Sequence, residues 1–163
     1  MPLTVTLPVE EIIRASITGF LRQCSSLKKG LKDAHGYSGE GGWEMHRLGA
    51  VAELAAATAL RRYWPESVDT FAFPDIPPDI QVRLSKRVNM LDKEHNLTIR
   101  PDSKDNEKYV LVRKISDNTF RVLGWIEAGE AKKHKEWYDN PGNRPYAWFV
   151  PFENLRDIND LIL

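Results

Sequence analysis

The chain of 163 residues has little of three features that would each define a class of protein. Cys24 is its single cysteine, so no disulfide can form within the chain and a reducing compartment fits best. No apolar run approaches the roughly 20 residues of a membrane span, and the N-terminus lacks the pattern of a secretory signal. Twenty-three basic residues balance twenty-three acidic ones, which argues against a polycation but allows a local basic patch.

The rest of the composition is that of a globular protein, with 42% hydrophobic and 28% charged residues. A first helix is predicted from about Val9 to Leu27, with Thr6 as a cap and Pro8 near its first turn. Its apolar residues recur at helical spacing and are expected to face the core: Ile13, Ile17, Phe20, Leu21 and Cys24.

A second helix is predicted between a glycine-rich loop, residues 33–43, and Pro65, and its alanine-rich middle is expected to pack closely against a sheet. Alternating or β-branched segments predict strands at Val68–Phe73, Ile80–Leu84, Leu97–Arg100, Tyr109–Arg113, Phe120–Ile126 and Tyr146–Val150. Further helices are predicted at Glu127–Tyr138 and Phe152–Ile162. This order predicts a mixed α/β fold in one domain.

Several candidate chemistries are weak. The histidines are scattered, so a zinc site is disfavoured, and Cys24 on an apolar stripe indicates packing more than catalysis. A basic run is interpreted either as a solvated helix face or as a phosphate-contacting patch, and its lysines are Lys132, Lys133 and Lys135. Arg47, in the second helix, is assigned to the same nucleic-acid-binding role.

Glu53 is more informative, because it is the one charged residue between Leu48 and Leu60. A helix that is otherwise apolar or small has little room for an exposed stripe. A buried carboxylate needs a partner or a metal, so we interpret Glu53 as a candidate functional residue.

A second group of polar residues lies around a predicted strand. Asp75 and Asp79 flank prolines just before it, where aspartates often only make turns. Asp79, Gln81 and Arg83 share one face because side chains alternate along a strand, whereas Ile80 and Val82 should point to the core. Oxygen ligands of this kind suit Mg²⁺.

These residues resemble the PD-(D/E)xK nuclease superfamily, which has the restriction-endonuclease-like fold. Glu53 is similar to the glutamate of its first core helix, Pro74–Asp75 to its PD pair, and Gln81–Arg83 to its acid-x-lysine tripeptide. Later parts of the chain resemble a subgroup of this superfamily that is common among phage and prophage proteins, namely Arg121–Ile126, Phe149–Pro151 and Leu155. The resemblance covers roughly residues 44–155.

The resemblance implies a nuclease that hydrolyses DNA phosphodiester bonds with Mg²⁺ or Mn²⁺. The implied catalytic residues are Glu53, Asp75, Gln81 and Arg83. The implied metal ligands are Glu53, Asp75, Gln81 and the Val82 carbonyl, with Asp79 as a rival to Asp75. Glutamine stands in place of the family's acid, and arginine in place of its lysine. Because arginine cannot be deprotonated, Arg83 is expected to orient the phosphate or stabilise its charge rather than act as a base.

The same resemblance implies a single nuclease-like domain over residues 1–163, in which helices flank a central mixed sheet. Its core would span about 44–155, with the helix at 9–27 packed on it and a C-terminal helix at 152–162. We expect the chain to act in the cytoplasm of a bacterium or of a phage-infected host. Its expected partner is DNA, and no association with a membrane is expected.

Two other hypotheses stay open. The loss of the acid and the lysine at 81 and 83 favours a nuclease-like fold without catalysis, which binds nucleic acid or protein. The five tryptophans could instead serve as interface anchors of an oligomer such as a homodimer, although core packing is the favoured explanation for them: Trp43, Trp64, Trp125, Trp137 and Trp148.

Overall fold

The computed structural model describes residues 1–30, 40–69, 73–85 and 96–162. Its strands and α-helices are, in chain order, β1 (Leu3–Thr6), α1 (Val9–Lys28), α2 (Glu40–Ala59), β2 (Ile80–Ser85), β3 (Asn96–Ile99), β4 (Lys108–Lys114), β5 (Thr119–Glu127), α3 (Ala128–Ala131), β6 (Tyr138–Asp139) and β7 (Ala147–Pro151). Short 3₁₀ turns lie at Lys135–Trp137, Pro141–Asn143, Phe152–Asn154 and Ile158–Leu161. The mixed α/β class predicted from the sequence is confirmed.

The strands form two sheets. The first has the order β1-β5-β4-β2, in which β2 pairs parallel to β4 and the other pairs are antiparallel. The second has the order β3-β7-β6 and is antiparallel. In the described part of the first sheet, β2 is therefore an edge strand, and one row of its backbone N–H and C=O groups is directed away from β4.

Two hydrophobic cores lie on opposite faces of the first sheet. Val110 and Val112 of β4 pack towards α2, whereas Tyr109 and Leu111 pack towards β3 and β7. The alanine-rich middle of α2 is almost completely buried against the sheet, as predicted. Ile80 and Val82 join the α2 core, again as predicted, so the side chains at 81 and 83 lie on the opposite face of β2.

Helix α1 is buried on the side opposite to the predicted one. Ile13, Ile17, Phe20 and Leu21 are 39–55% exposed, and Cys24 is partly buried. The buried face instead carries Ala15, Thr18, Gly19 and Gln23. Small side chains let α1 approach α2 closely, because a Cβ on Gly19 would lie 2.5 Å from the Arg47 Cα and from the His46 carbonyl oxygen. Close backbone contact thus outweighs burial of the larger apolar side chains.

The N-terminal predictions need two further corrections. Residues 3–6 form β1, which pairs with β5, so Thr6 is a strand residue and makes no cap for α1. Helix α2 already begins at Glu40, which places residues 40–43 in a helix instead of a loop. The rest of the glycine-rich loop lies outside the described residues. So do residues 70–72 of the strand predicted at 68–73, and residues 68 and 69 form a bend.

The last two predicted helices are wrong. The segment 127–138 contains one helical turn, α3, followed by a 3₁₀ turn. The segment 152–162 contains two 3₁₀ turns separated by a β-bridge, in which Arg156 and Trp125 exchange backbone hydrogen bonds. Gly124 permits this approach, because a Cβ there would lie 2.8 Å from the Arg156 carbonyl oxygen. The backbone of Arg156 therefore pairs with β5 instead of continuing a helix.

Candidate active site at the edge of the sheet

Glu53 is buried, with 6% of the residue exposed, and its carboxylate is bound by two side chains. Arg22 of α1 donates from Nη1 to Oε1 at 2.7 Å and from Nη2 to Oε2 at 2.9 Å. The Trp64 indole donates to Oε2 at 3.0 Å. Arg22 also donates from Nε to the Ser67 carbonyl at 2.7 Å, which fixes the plane of the guanidinium. Glu53 is thus the centre of a bidentate buried ion pair.

Arg22 responds to this environment. Burial by itself would lower the pKa of the guanidinium, but the hydrogen bonds and the charge of Glu53 raise that pKa above its ordinary value. The nearby Asp75 raises it further. Arg22 is therefore a permanent positive charge shared between two carboxyl groups.

Asp75 lies at the edge of β2 that faces away from β4. Residues 76–80 form a tight turn, closed by two hydrogen bonds between the backbones of Ile76 and Ile80, and this turn folds Asp75 back onto the strand. Its Oδ2 accepts the Val82 backbone N–H at 2.7 Å. Among the described residues, Oδ1 accepts no hydrogen bond. One oxygen of Asp75 therefore caps the strand and the other can meet a ligand.

The pKa of Asp75 is raised to about 7. Burial is the largest cause, and the negative charge of Glu53 is the second. Arg83, the Val82 N–H and Arg22 act in the opposite direction but do not restore the ordinary value. Asp75 therefore lacks sufficient compensating charge, whereas Glu53 has its own guanidinium.

Arg83 lies at the same edge. Its Nη1 donates to the Val82 carbonyl oxygen at 3.1 Å, and its guanidinium carbon lies 4.9 Å from the centre of the Tyr109 ring. Burial is the largest cause of a raised pKa at Tyr109, so the ring stays neutral beneath the cation. Stacking of this kind holds the planar guanidinium in place for a bidentate contact with a phosphate.

Gln81 and Asp79 make contacts elsewhere. The Gln81 amide donates to Glu107 Oε1 at 3.2 Å, on the face of the sheet away from α2. Asp79 forms an ion pair with Lys108, the first residue of β4. The structure therefore brings Glu53, Asp75 and Arg83 into electrostatic contact, and it engages the other two predicted site residues with different partners.

These contacts limit how a divalent cation could be held. Among the described residues, no group of three or more histidine, cysteine or acidic side chains could hold a metal ion. Both oxygens of Glu53 already accept hydrogen bonds. Oδ1 of Asp75 accepts no hydrogen bond from the described residues, and the Val82 carbonyl, which accepts one from Arg83, keeps a second lone pair for a cation. Mg²⁺ in phosphate-processing sites often uses one carboxylate together with water and substrate oxygens, and these two donors fit that form of binding.

The predicted nucleic-acid-binding residues lie in separate places. Lys132 forms an ion pair with Asp105 and also donates to the Ser103 carbonyl, whereas Lys133 and Lys135 are exposed. Arg47 pairs with Glu44 on α2 through two hydrogen bonds of 2.8 and 2.6 Å. Lys133 and Lys135 are thus the most accessible cations of the predicted set.

Sequence reasoning missed Arg22 and Trp64. Both are defined by contact with Glu53, from which they are 31 and 11 residues away in the chain. Arg22 follows Ala15, Thr18 and Gly19 at helical spacing, and this line of small and polar residues is the signal that could have identified its face as the buried one.

No protein-family model matches the chain, and no curated protein or solved structure matches it significantly. Within the described residues, no helix is both long and apolar enough to cross a bilayer.

Proposed function

We propose that this chain hydrolyses phosphodiester bonds of DNA at the edge of β2, with Mg²⁺ or Mn²⁺ as cofactor. The observation that carries the proposal is the position of Asp75. Its carboxyl group is partly buried near Glu53, has a pKa near neutrality, and keeps one oxygen available at a strand edge that also holds Arg83. Titratable groups perturbed by burial and by a specific charge partner are concentrated in active sites.

Each residue at the edge of β2 has a separate role in the proposed hydrolysis. Asp75 Oδ1 and the Val82 carbonyl would bind the cation, whose chemistry when bound is to polarise the phosphate and lower the pKa of a water. Arg83 binds two phosphate oxygens and stabilises the charge that develops on them. Arg22 keeps Glu53 in place and keeps a positive charge near Asp75.

Cleavage assays with variants at three aspartates test this proposal. Plasmid, linear duplex and single-stranded DNA are incubated with the chain in Mg²⁺ or Mn²⁺, and in EDTA. We expect metal-dependent cleavage that falls by about 100-fold or more in Asp75→Asn, because the amide is a much weaker cation ligand. Asp79→Asn decides between the two rival ligands, and Asp117→Asn, at a fully exposed position on the β4–β5 turn, is the matched control.

The outcomes separate the alternatives. Loss of cleavage in Asp79→Asn with retention in Asp75→Asn would reassign the ligand. Equal activity of all three variants, or no cleavage of any substrate, would refute hydrolysis at this site.

The second candidate function is DNA binding without hydrolysis. The observation that favours it is the bidentate pairing of Glu53 with Arg22, which occupies the carboxylate that the nuclease resemblance assigns to metal. Arg83 could still bind a phosphate at this edge, and Lys133 and Lys135 could contact the DNA backbone.

Fluorescence anisotropy of labelled duplex DNA in EDTA tests the binding module. We expect Arg83→Gln to weaken binding by about tenfold, and Lys133→Gln to reduce the slope of log affinity against log salt by about one. Asp117→Asn again serves as the control. Absence of binding at low salt, or binding unaffected by Arg83→Gln, would exclude this candidate.

A further inference from the structure

The outward face of α1 has the pattern of a helix-pairing seam. Ile13, Ile17, Phe20, Cys24 and Leu27 follow one another at spacings of four, three, four and three residues. This alternation brings every one of them to a single stripe, as in a coiled coil. The four large residues are 39–55% exposed and Cys24 is partly buried. We call these five residues the α1 stripe.

The exposed apolar surface is wider than the stripe itself. Val9 and Leu21 flank it at 64% and 50% exposure, and Trp43 of α2 extends it, with its ring centre 6.1 Å from that of Phe20. Together these side chains expose on the order of 600 Å² of surface, which approaches the roughly 800 Å² per partner of a standard protein interface. Apolar patches of this size are uncommon on a surface that stays in water.

The charges at the two ends of α1 indicate what covers the stripe. Glu10 is exposed in the first turn and Lys28 is exposed in the last turn. A second α1 in antiparallel orientation brings each Glu10 close to the Lys28 of the other copy, whereas a parallel orientation places like charges together. The same orientation aligns Ile13 with Leu27 of the other copy and places the two Phe20 side chains at the twofold axis.

We propose that a second copy of this chain packs against the α1 stripe, forming a symmetric dimer with the two α1 helices antiparallel. The contact is isologous, so it closes on itself and leaves no stripe uncovered. This surface is on the side of α1 away from Arg22 and Glu53, and the dimer does not depend on the proposed phosphodiesterase activity.

Sedimentation of the full chain tests the dimer. We expect wild type to sediment as a dimer at tens of micromolar, and Ile17→Glu to raise the dissociation constant by about 100-fold or more, because a charge replaces an apolar residue of the seam. Ile115→Glu is the matched control: Ile115 is 48% exposed and Ile17 53%, and Ile115 lies after β4, away from the stripe. Circular dichroism checks that both variants keep the fold.

A monomeric wild type at 100 micromolar chain would overturn the proposal, as would a dimer that survives Ile17→Glu. So would equal dissociation of the two glutamate variants, because the effect would then not be specific to α1.

Cross-linking tests the orientation. About Phe20 as the twofold centre, the two Cys24 residues are separated by eight residues, or about 12 Å along the helices. We expect a short bismaleimide to cross-link Phe20→Cys efficiently in a Cys24→Ser background, and wild-type Cys24 at least fivefold less. Equally efficient cross-linking through Cys24 and through position 20 would show parallel helices, in which each residue faces its own copy, and would overturn the arrangement.

Discussion

Glu53 and Asp75 are two carboxyl groups in one cluster, and the protein treats them differently. Glu53 accepts two hydrogen bonds from Arg22 and one from Trp64, and the bond from Trp64 is buried. Asp75 receives one, from the Val82 backbone, and its pKa rises to about 7, first because it is buried and then because Glu53 is negative. Glu53 is therefore a compensated carboxylate that joins α2 to α1 through Arg22, whereas ionised Asp75 carries a negative charge that a bound cation could compensate.

The largest change in unfolding free energy is expected when the guanidinium of Arg22, the partner of Glu53, is removed. Arg22→Met leaves a buried carboxylate with Trp64 as its remaining side-chain donor, so unfolding free energy should fall by about 3–5 kcal/mol in urea titrations. Arg47→Met is the matched control, because Arg47 pairs with Glu44, which is 57% exposed, and should cost at most about 1 kcal/mol. Similar losses in both variants would show that burial does not distinguish the two pairs.

A substitution at Asp75 is expected to increase the stability of the fold, in contrast to the loss expected for Arg22→Met. The folded pKa is about 7 and the unfolded value about 3.8, so between these pH values the native state keeps a proton that the unfolded state has lost. This group therefore makes stability fall as pH rises from about 4 to 7. In EDTA at pH 8, Asp75→Asn should be more stable than wild type by on the order of 3 kcal/mol, with little difference at pH 4.

Thermal or urea unfolding across pH 4–8 measures this difference between Asp75→Asn and wild type. Asp75→Asn that is equally stable or less stable at pH 8 would contradict the raised pKa. In wild type, added Mg²⁺ should reduce the pH slope if the cation binds the ionised carboxylate.

A smaller effect is expected from separating the helices that hold the ion pair. Gly19 lies one turn before Arg22, and an added Cβ would lie 2.5 Å from backbone atoms of α2. Gly19→Ala should therefore cost about 1–3 kcal/mol by overpacking. Gly49→Ala, on α2 where an added Cβ meets nothing within 4 Å, should be neutral or stabilising. A neutral Gly19→Ala would show that α1 can move away from α2 without cost.

The smallest expected effect is a difference in unfolding free energy between substitutions at two tryptophans. Trp64 and Trp125 are 4% and 6% exposed, and each donates one indole hydrogen bond of 3.0 Å, to the Glu53 carboxylate and to the Asp157 carbonyl. Phenylalanine at either position removes the donor and leaves a similar gap. Trp64→Phe should cost about 1 kcal/mol more than Trp125→Phe in matched denaturation experiments, because hydrogen bonds to charged groups are stronger. The reverse order would remove Trp64 from the charge compensation of Glu53.

Sequence patterns predicted most of the central fold. The alternation of Ile80 and Val82 identified the buried face of β2, and the alanine-rich helix identified the layer that covers it. Periodicity misled at α1, because it shows that a helix has an apolar face but not that this face is buried. The backbone approach at Gly19 decided the orientation. The helix predicted at the C-terminal segment was wrong for a similar reason, because Arg156 pairs with β5, which is distant in the sequence.

The candidate site was partly predictable for a related reason. Glu53 and Asp75 are conspicuous in apolar and proline-rich surroundings, and the structure brings them close enough for the charge of Glu53 to raise the pKa of Asp75. Their partners depend on tertiary packing: Arg22 reaches Glu53 only once α1 is turned to its small face, and Gln81 meets Glu107 through the parallel register of β2 and β4. No local pattern in the chain contains this information.

The hydrogen bond from the Val82 N–H to Asp75 also bears on how copies of the chain avoid each other. An edge strand with unpaired N–H groups is a template on which a strand from another molecule can add, and such addition leads to aggregation. Asp75 occupies this N–H and places a polar group where an incoming strand would lie. Replacements that lack an acceptor oxygen would therefore expose the edge to strand addition even where they relieve the buried charge.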